Sequence, residues 1–137
     1  MLGQENDETS LSAQQIGYWL RTLDELPDQL DLPSDRPRPA VATNGGAKSR
    51  FVIDARIHKG LSEVARSHQA SLFMVVQAAY AALLSRLSGT TDIAMGAPIA
   101  GRAHEQLDDI IGMFVNTLVL RARVEPQHSF DELLDQV

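Results

Sequence analysis

Residues Ile111-Gly-Met-Phe-Val-Asn-Thr-Leu-Val-Leu-Arg121 form an almost unbroken apolar run with a glycine near its start, an asparagine at its centre and an arginine at its close. Continued to Val124 and read as a strand, the run alternates with period two. Phe114, Asn116, Leu118, Leu120, Ala122 and Val124 share one face, and Met113, Val115, Thr117, Val119, Arg121 and Arg123 share the other. On this reading Asn116 sits among core residues. An unpaired amide there costs roughly 1–3 kcal/mol, so the fold must supply it with specific partners.

The rest of the chain reads as mixed α/β. Residues 1–10 are polar, acidic and aperiodic in the stretch Gln4 to Ser10, which predicts a flexible tail or linker. Leu11 to Leu30 carries helical spacing through Ile16, Trp19, Leu20 and Leu23, with Ser12 as N-cap and Pro27 as an early breaker. Three prolines between Pro33 and Pro39 mark an extended surface segment, and Asn44-Gly45-Gly46 is a turn signal. Arg50 to Asp54 is expected to form a short strand. Asp54 caps the next helix, whose stripe is Ile57, Leu61, Val64, Ala65 and His68, with Gly60 weakening it by up to about 1 kcal/mol. Ser71 caps a helix from Leu72 to Leu87, and Gly89 stops it. That helix is apolar on nearly every side, which implies contacts on two or more sides. Asp92 to Ala97 reads as a buried strand, Pro98 to Leu107 as a loop with a helical turn, and Ser129 as the cap of an amphipathic helix through Phe130, Leu133, Leu134 and Val137. Val137 lies on that helix's apolar face with no stop signal behind it, so the domain is expected to continue beyond it.

Charge and composition exclude several functions. A net charge of −6 and a pI near 5.1 leave no basic stripe for phosphate, so no nucleic-acid partner is expected. No cysteine is present, which removes disulfide frameworks and thiolate metal sites and fits a reducing compartment. The apolar stretch at Leu72–Leu87 is shorter than the roughly 20 residues of a membrane span and contains Gln77 and Arg86, so no membrane partner is expected either. The start Met1-Leu2-Gly3 lacks a secretory pattern. These features together read as a soluble, cytoplasmic chain.

Ile111, Gly112, Phe114, Val115, Asn116, Thr117 and Arg121 resemble the Ile-Gly-x-Phe-Val-Asn-Thr motif of the condensation domains of nonribosomal peptide synthetases. Two further stretches agree in order and spacing: Asp31-Leu-Pro-Ser-Asp-Arg-Pro-Arg-Pro39 and Gly96-Ala-Pro-Ile-Ala-Gly-Arg102, with Tyr18-Trp19 ahead of them. Over residues 11–137 the chain is similar to part of the C-terminal half of such a domain. The resemblance implies a chloramphenicol acetyltransferase-like half-domain, a mixed sheet with flanking helices, truncated at its C-terminus. It also implies amide formation between acyl or aminoacyl groups that arrive on phosphopantetheine arms of carrier (thiolation) domains, with no cofactor bound directly. The implied partners are the N-terminal half of the condensation domain and the carrier and adenylation domains of a synthetase.

The family's catalytic His-His-x-x-x-Asp-Gly motif is absent from this chain, so no residue here is assigned a catalytic role. His68, on a stripe with Leu61 and Val64, reads as a structural, hydrogen-bonded histidine, and His58, His104 and His128 as solvated ones. His104 and Asp108 at i, i+4 lack a third ligand, so no metal site is expected. Neither a Gly-x-Ser-x-Gly elbow nor a phosphate loop occurs. Gly96, Pro98, Gly101 and Arg102 read as a tight turn after a strand, pinned by Arg102 through carbonyls or through Asp108 or Asp109. Arg36 and Arg38 offer charge to a carrier phosphate, yet in a proline-rich surface segment solvation is the simpler reading. For Gly112, Phe114, Val115, Asn116, Thr117 and Arg121 two roles stand side by side, lining the family's substrate tunnel or tying strands together.

Two functional readings follow. In the first, the chain is part of an amide-forming condensation domain, supplies tunnel wall and carrier-facing surface, and makes no product alone. In the second, it is a non-catalytic remnant or interaction module, or part of a related epimerisation, ester-forming, cyclising or acyltransferase domain. Both predict an exposed apolar face where the other half would sit.

Overall fold

The computed structural model describes residues 7, 9–43, 45–102 and 105–137. In chain order the elements are α1 (Leu11–Thr22), α2 (Ala55–Ser67), α3 (Leu72–Ser88), β1 (Asp92–Ala100), one 3₁₀ turn (Glu105–Leu107), β2 (Val115–Arg123) and α4 (Phe130–Leu134). The class is mixed α/β, with a two-stranded sheet.

The strands form an antiparallel ribbon. At one end the Val124 N–H donates to the Thr91 carbonyl at 2.7 Å, and at the other the Gly101 N–H donates to the Phe114 carbonyl at 2.6 Å. Ten positions separate the two bonds on either strand, so the register carries no net bulge. Pro98 lies within β1 because of this register. Its parity is opposite to that of Thr91 and Gly101, so its nitrogen faces away from β2 and no ribbon bond is lost.

The chain divides into two compact units. One holds α1 and Ala94–Arg121, and the other holds Leu30–Ile93 and Ala122–Val137. The second contains most of the buried apolar side chains: Ala65 of α2, Val75, Ala78, Ala81 and Leu84 of α3, then Ile93, Ala122, Leu133 and Leu134. The α3 residues among these recur every third position, so the line they trace drifts around a helix of 3.6 residues per turn. That drift lets α3 meet both α2 and α4. Asp54, Ser71 and Ser129 accept the N–H groups of Ile57, Met74 and Glu132 at 2.8, 3.2 and 3.2 Å, each cap contributing about 1 kcal/mol. Gly89 closes α3 in the left-handed region, at φ 72°.

In the first unit Ser10 caps α1 by accepting the Ala13 N–H at 3.1 Å, and Tyr18 meets Trp19 edge-on with ring centroids 5.2 Å apart. Glu25, at φ 53°, turns the chain away after α1.

Several expectations are corrected. The first helix ends at Thr22 instead of Leu30, because the turn at Leu23–Glu25 closes it before Pro27 is reached, and its cap is Ser10 instead of Ser12. Arg50–Asp54 is no strand. Phe51 and Val52 are 83% and 92% exposed, and among the described residues the two strands pair with each other and not with this segment. β1 runs on to Ala100 instead of stopping at Ala97, and of its residues only Ile93 is buried. β2 begins at Val115, four residues into the apolar run, and α4 ends at Leu134 short of Val137. Gly45 and Gly46 form no regular turn. The tail residues 1–6, Asn44 and His104 lie outside the described residues.

Candidate functional site

The residues of the Gly96–Arg102 and Ile111–Arg121 motifs fall in the first unit, on the ribbon and the loop that joins its strands, whereas the Asp31–Pro39 stretch falls in the second. Gly101 and Phe114 form the last bonded pair of the ribbon. A Cβ at Gly101 would lie 2.4 Å from the Phe114 carbonyl oxygen, so only glycine allows the strands to close there. Gly96 has a looser constraint, since its Cβ would meet the Thr117 methyl at 3.1 Å.

Arg102 holds the loop that follows. Its guanidinium lies 4.1 Å from the Phe114 ring centroid and donates to the carbonyls of Leu107 and of Ile110, the latter at 2.8 Å. Of the partners left open by sequence, these carbonyls are the ones it takes. One side chain thus joins the end of β1, the 3₁₀ turn and the start of the apolar run.

Asn116 is not in the core. It is exposed, as are Val115 and Thr117, and its Oδ1 accepts the N–H of Thr117 at 2.8 Å. The cover over β2 extends only from Leu118 to Ala122, so Asn116 projects beyond it, and burial along the strand is graded from Val115 to Ala122 with no period of two. Register explains the local bond. Phe114 and Val124 set the parity of β2 groups that face β1, and the Thr117 N–H has the opposite parity, pointing to the open edge. The Asn116 amide occupies that edge donor, which blunts pairing with another strand.

The residues before it in sequence include exposed apolar ones. Ile111, Met113 and Val115 are all exposed, and Gly112 is open enough that a Cβ would only touch the Phe114 ring at 3.4 Å. Arg121 stands apart from this end. Its Nη1 donates to the carbonyls of Thr22 and Asp24 at 2.9 and 2.7 Å, tying β2 to the last turn of α1, where cationic groups complement the free carbonyls.

The second unit contains a cleft of about 470 Å³ beside the end of α3, with Arg86, Thr90, Val124, Glu125, His128 and Phe130 in its wall. Its Ser85 hydroxyl is engaged, donating to the Thr90 carbonyl at 2.6 Å. Sequence reading passed over this cleft, because Arg86 and Gly89 signalled only a helix end. Nearby, Ser129 gives its N–H and its hydroxyl to the Glu132 carboxylate at 2.7 and 3.0 Å, which holds that carboxyl below its ordinary range. His68 is largely covered, 22% exposed, with Asp131 3.3 Å from Nε2 and Asp135 3.6 Å from Nδ1. His58 and His128 are exposed, and His128 Nδ1 lies 3.3 Å from the Gln136 amide. Among the described residues no group of three His, Cys, Asp or Glu side chains could hold a metal ion, and no single helix is long and apolar enough to cross a membrane.

Comparison with known proteins gives a consistent result. Residues 4–137 match the profile of the condensation domain family. The dimodular nonribosomal peptide synthase of Bacillus subtilis (strain 168) is 50% identical over 137 residues, which is all of this chain and 6% of the synthase. The X-domain from teicoplanin biosynthesis, solved in complex with OxyB, is 30% identical at a TM-score of 0.88, over 95% of this chain and 29% of that one. The first condensation domain of the CDA synthetase shares the fold at a TM-score of 0.69 and 24% identity, over 96% of this chain and 28% of that domain's chain.

Proposed function

Because the chain belongs to the condensation domain family, we propose that it forms part of a reaction chamber in which a nonribosomal peptide synthetase joins acyl or aminoacyl groups into an amide. The substrates arrive as thioesters on phosphopantetheine arms of carrier domains. The reaction is attack by an amine lone pair on the thioester carbonyl: a C–N bond forms, the C–S bond breaks, and the carrier thiol leaves as the nitrogen gives up a proton. No paired histidine is present in these 137 residues to manage that proton. This chain contributes surface and position, which account for a large share of the barrier reduction when two tethered reactants are aligned. The histidine motif comes from the remainder of the domain, and carrier and adenylation domains are the further partners.

The observation that carries this reading is a family match over 4–137 in a chain that lacks His-His-x-x-x-Asp-Gly. The site geometry supports it. Exposed apolar residues Ile111, Met113 and Val115, next in sequence to the Asn116 amide, with Arg102 braced on Phe114, suit an acyl chain that needs one directed hydrogen bond. Asn116 and Thr117 set the polarity of that wall, and Gly96, Pro98 and Gly101 set the path of the strand beneath it.

The test is Asn116→Ala and Asn116→Leu in an intact synthetase carrying this segment. Asn116 is exposed and bonds only within its own strand as described here, so melting stays unchanged while turnover falls about tenfold or more, roughly 1.4 kcal/mol at the transition state. A lower melting temperature with normal turnover per folded molecule contradicts the assignment. A second reading has one observation in its favour: the X-domain, similar over 95% of this chain, was solved bound to OxyB. On that reading the chain is a docking module, and Asn116→Ala leaves chemistry untouched.

A further inference from the structure

Residues 102–113 join the last bonded pair of the ribbon, Gly101 and Phe114, in a loop longer than the median of about 4–6 residues for connections in compact domains. Burial does not order it. Of residues 105–113 only Leu107 is half-buried, and the rest are exposed. Two backbone bonds inside the loop, from the Asp108 N–H to the Glu105 carbonyl and from the Ile110 N–H to the Leu107 carbonyl, each close a single turn. Arg102 reaches farther. Its Nη1 donates to the Leu107 carbonyl and its Nη2 to the Ile110 carbonyl, five and eight residues on, while the same guanidinium lies over the Phe114 ring. One planar group thereby brackets Ile111-Gly112-Met113, holding the carbonyl before them and the ring after them. Gly112 is the residue in that bracket that restrains its own backbone least.

We propose that Arg102 is a positioning residue of the reaction chamber, acting through Phe114 to fix the Ile111–Met113 segment and the presentation of Asn116, an inference that rests on the reading above. Arg102 itself touches no reacting atom on this account. Phe114 and Asn116 lie two apart along one extended line, so their side chains leave the same face and a shift of the ring reaches the amide across a single residue. The arrangement requires arginine. Its flat fork gives one N–H to each of two carbonyls while its face rests on the ring, whereas a lysine ammonium is a compact point donor that supplies one of these contacts at a time.

The experiment uses an intact synthetase carrying this segment, with Arg102→Gln, Arg102→Lys, Asn116→Ala and the double variant of Arg102→Gln with Asn116→Ala. Arg102→Gln lowers kcat about tenfold and leaves KM for both carriers within about twofold. Arg102→Lys keeps the charge and recovers less than about a third of the lost turnover. Because Arg102 acts through the element that carries Asn116, the double variant stays within about twofold of Asn116→Ala alone. Hydrogen exchange gives a readout besides turnover: in Arg102→Gln the amides of Ile111–Phe114 exchange at least about tenfold faster, and those of Leu118–Ala122 are unchanged. Normal kcat, full rescue by lysine, losses that multiply in the double variant, or unaltered exchange in the loop each overturn the proposal. Exchange that rises equally across Leu118–Ala122 marks a role in folding only and overturns it too. Normal turnover of Arg102→Gln beside an impaired Asn116→Ala sinks this inference alone, whereas normal turnover of Asn116→Ala sinks the chamber reading and the inference with it.

Discussion

Gly101 and Gly112 sit in similar sequence settings and have unlike roles. At Gly101 any side chain meets the Phe114 carbonyl oxygen, a backbone atom that cannot rotate away, whereas at Gly112 a methyl group meets only the edge of the Phe114 ring at ordinary contact distance. Gly101→Ala is expected to destabilise the chain by roughly 1–3 kcal/mol, the usual cost of forced overpacking, and Gly112→Ala to stay within about 0.5 kcal/mol. Thermal unfolding of the two variants checks this, and equal effects would contradict the ribbon closure described here. The sequence marked both glycines through the motif without separating them, because the difference lies in a strand thirteen residues away. Asn116 makes the same point in reverse. Alternation placed it among core residues, but how far the covering elements reach along β2 is a tertiary fact that no local pattern holds.

Among the elements, helix ends were the most legible, since a cap is a bond between residues three apart. Asp54, Ser71, Ser129 and Gly89 cap as their types and positions imply. At the start of α1 the sequence pointed to Ser12 as the cap, and the structure gives that role to Ser10, two residues earlier. Arg50–Asp54 was misread because a strand exists only through its partner, and the residues that would pair with it are not in the ribbon. The box at α4 gives a pH prediction. Donation from the Ser129 N–H and hydroxyl lowers the folded pKa of Glu132 below the ordinary glutamate value, so its contribution is fully present above that value, about pH 4.3, and is lost as pH falls through the folded value. Glu132→Gln should therefore be less stable than wild type at pH 7, with the difference closing in parallel melts as pH falls below the folded value. A gap that widens in acid would show that the carboxylate opposes the helix.

On the scale of the whole molecule, the mixed α/β class and the family were readable from three motifs in register, and the absence of the histidine motif was readable directly. What the sequence concealed is distribution. The Gly96–Arg102 and Ile111–Arg121 motifs fall in one unit, while the Asp31–Pro39 stretch and most of the buried apolar side chains fall in the other. α3, apolar on nearly every side, is covered on only part of its surface by α2 and α4. A chain that spans 6% of the Bacillus synthase acts, on this account, as a piece of a larger reaction chamber. The most direct measurement is amide product from acyl- and aminoacyl-carriers, assayed with this chain alone, with the flanking synthase regions alone, and with both together. The account predicts product only in the mixture. Product from this chain alone, or none from the mixture above a no-enzyme control, contradicts it.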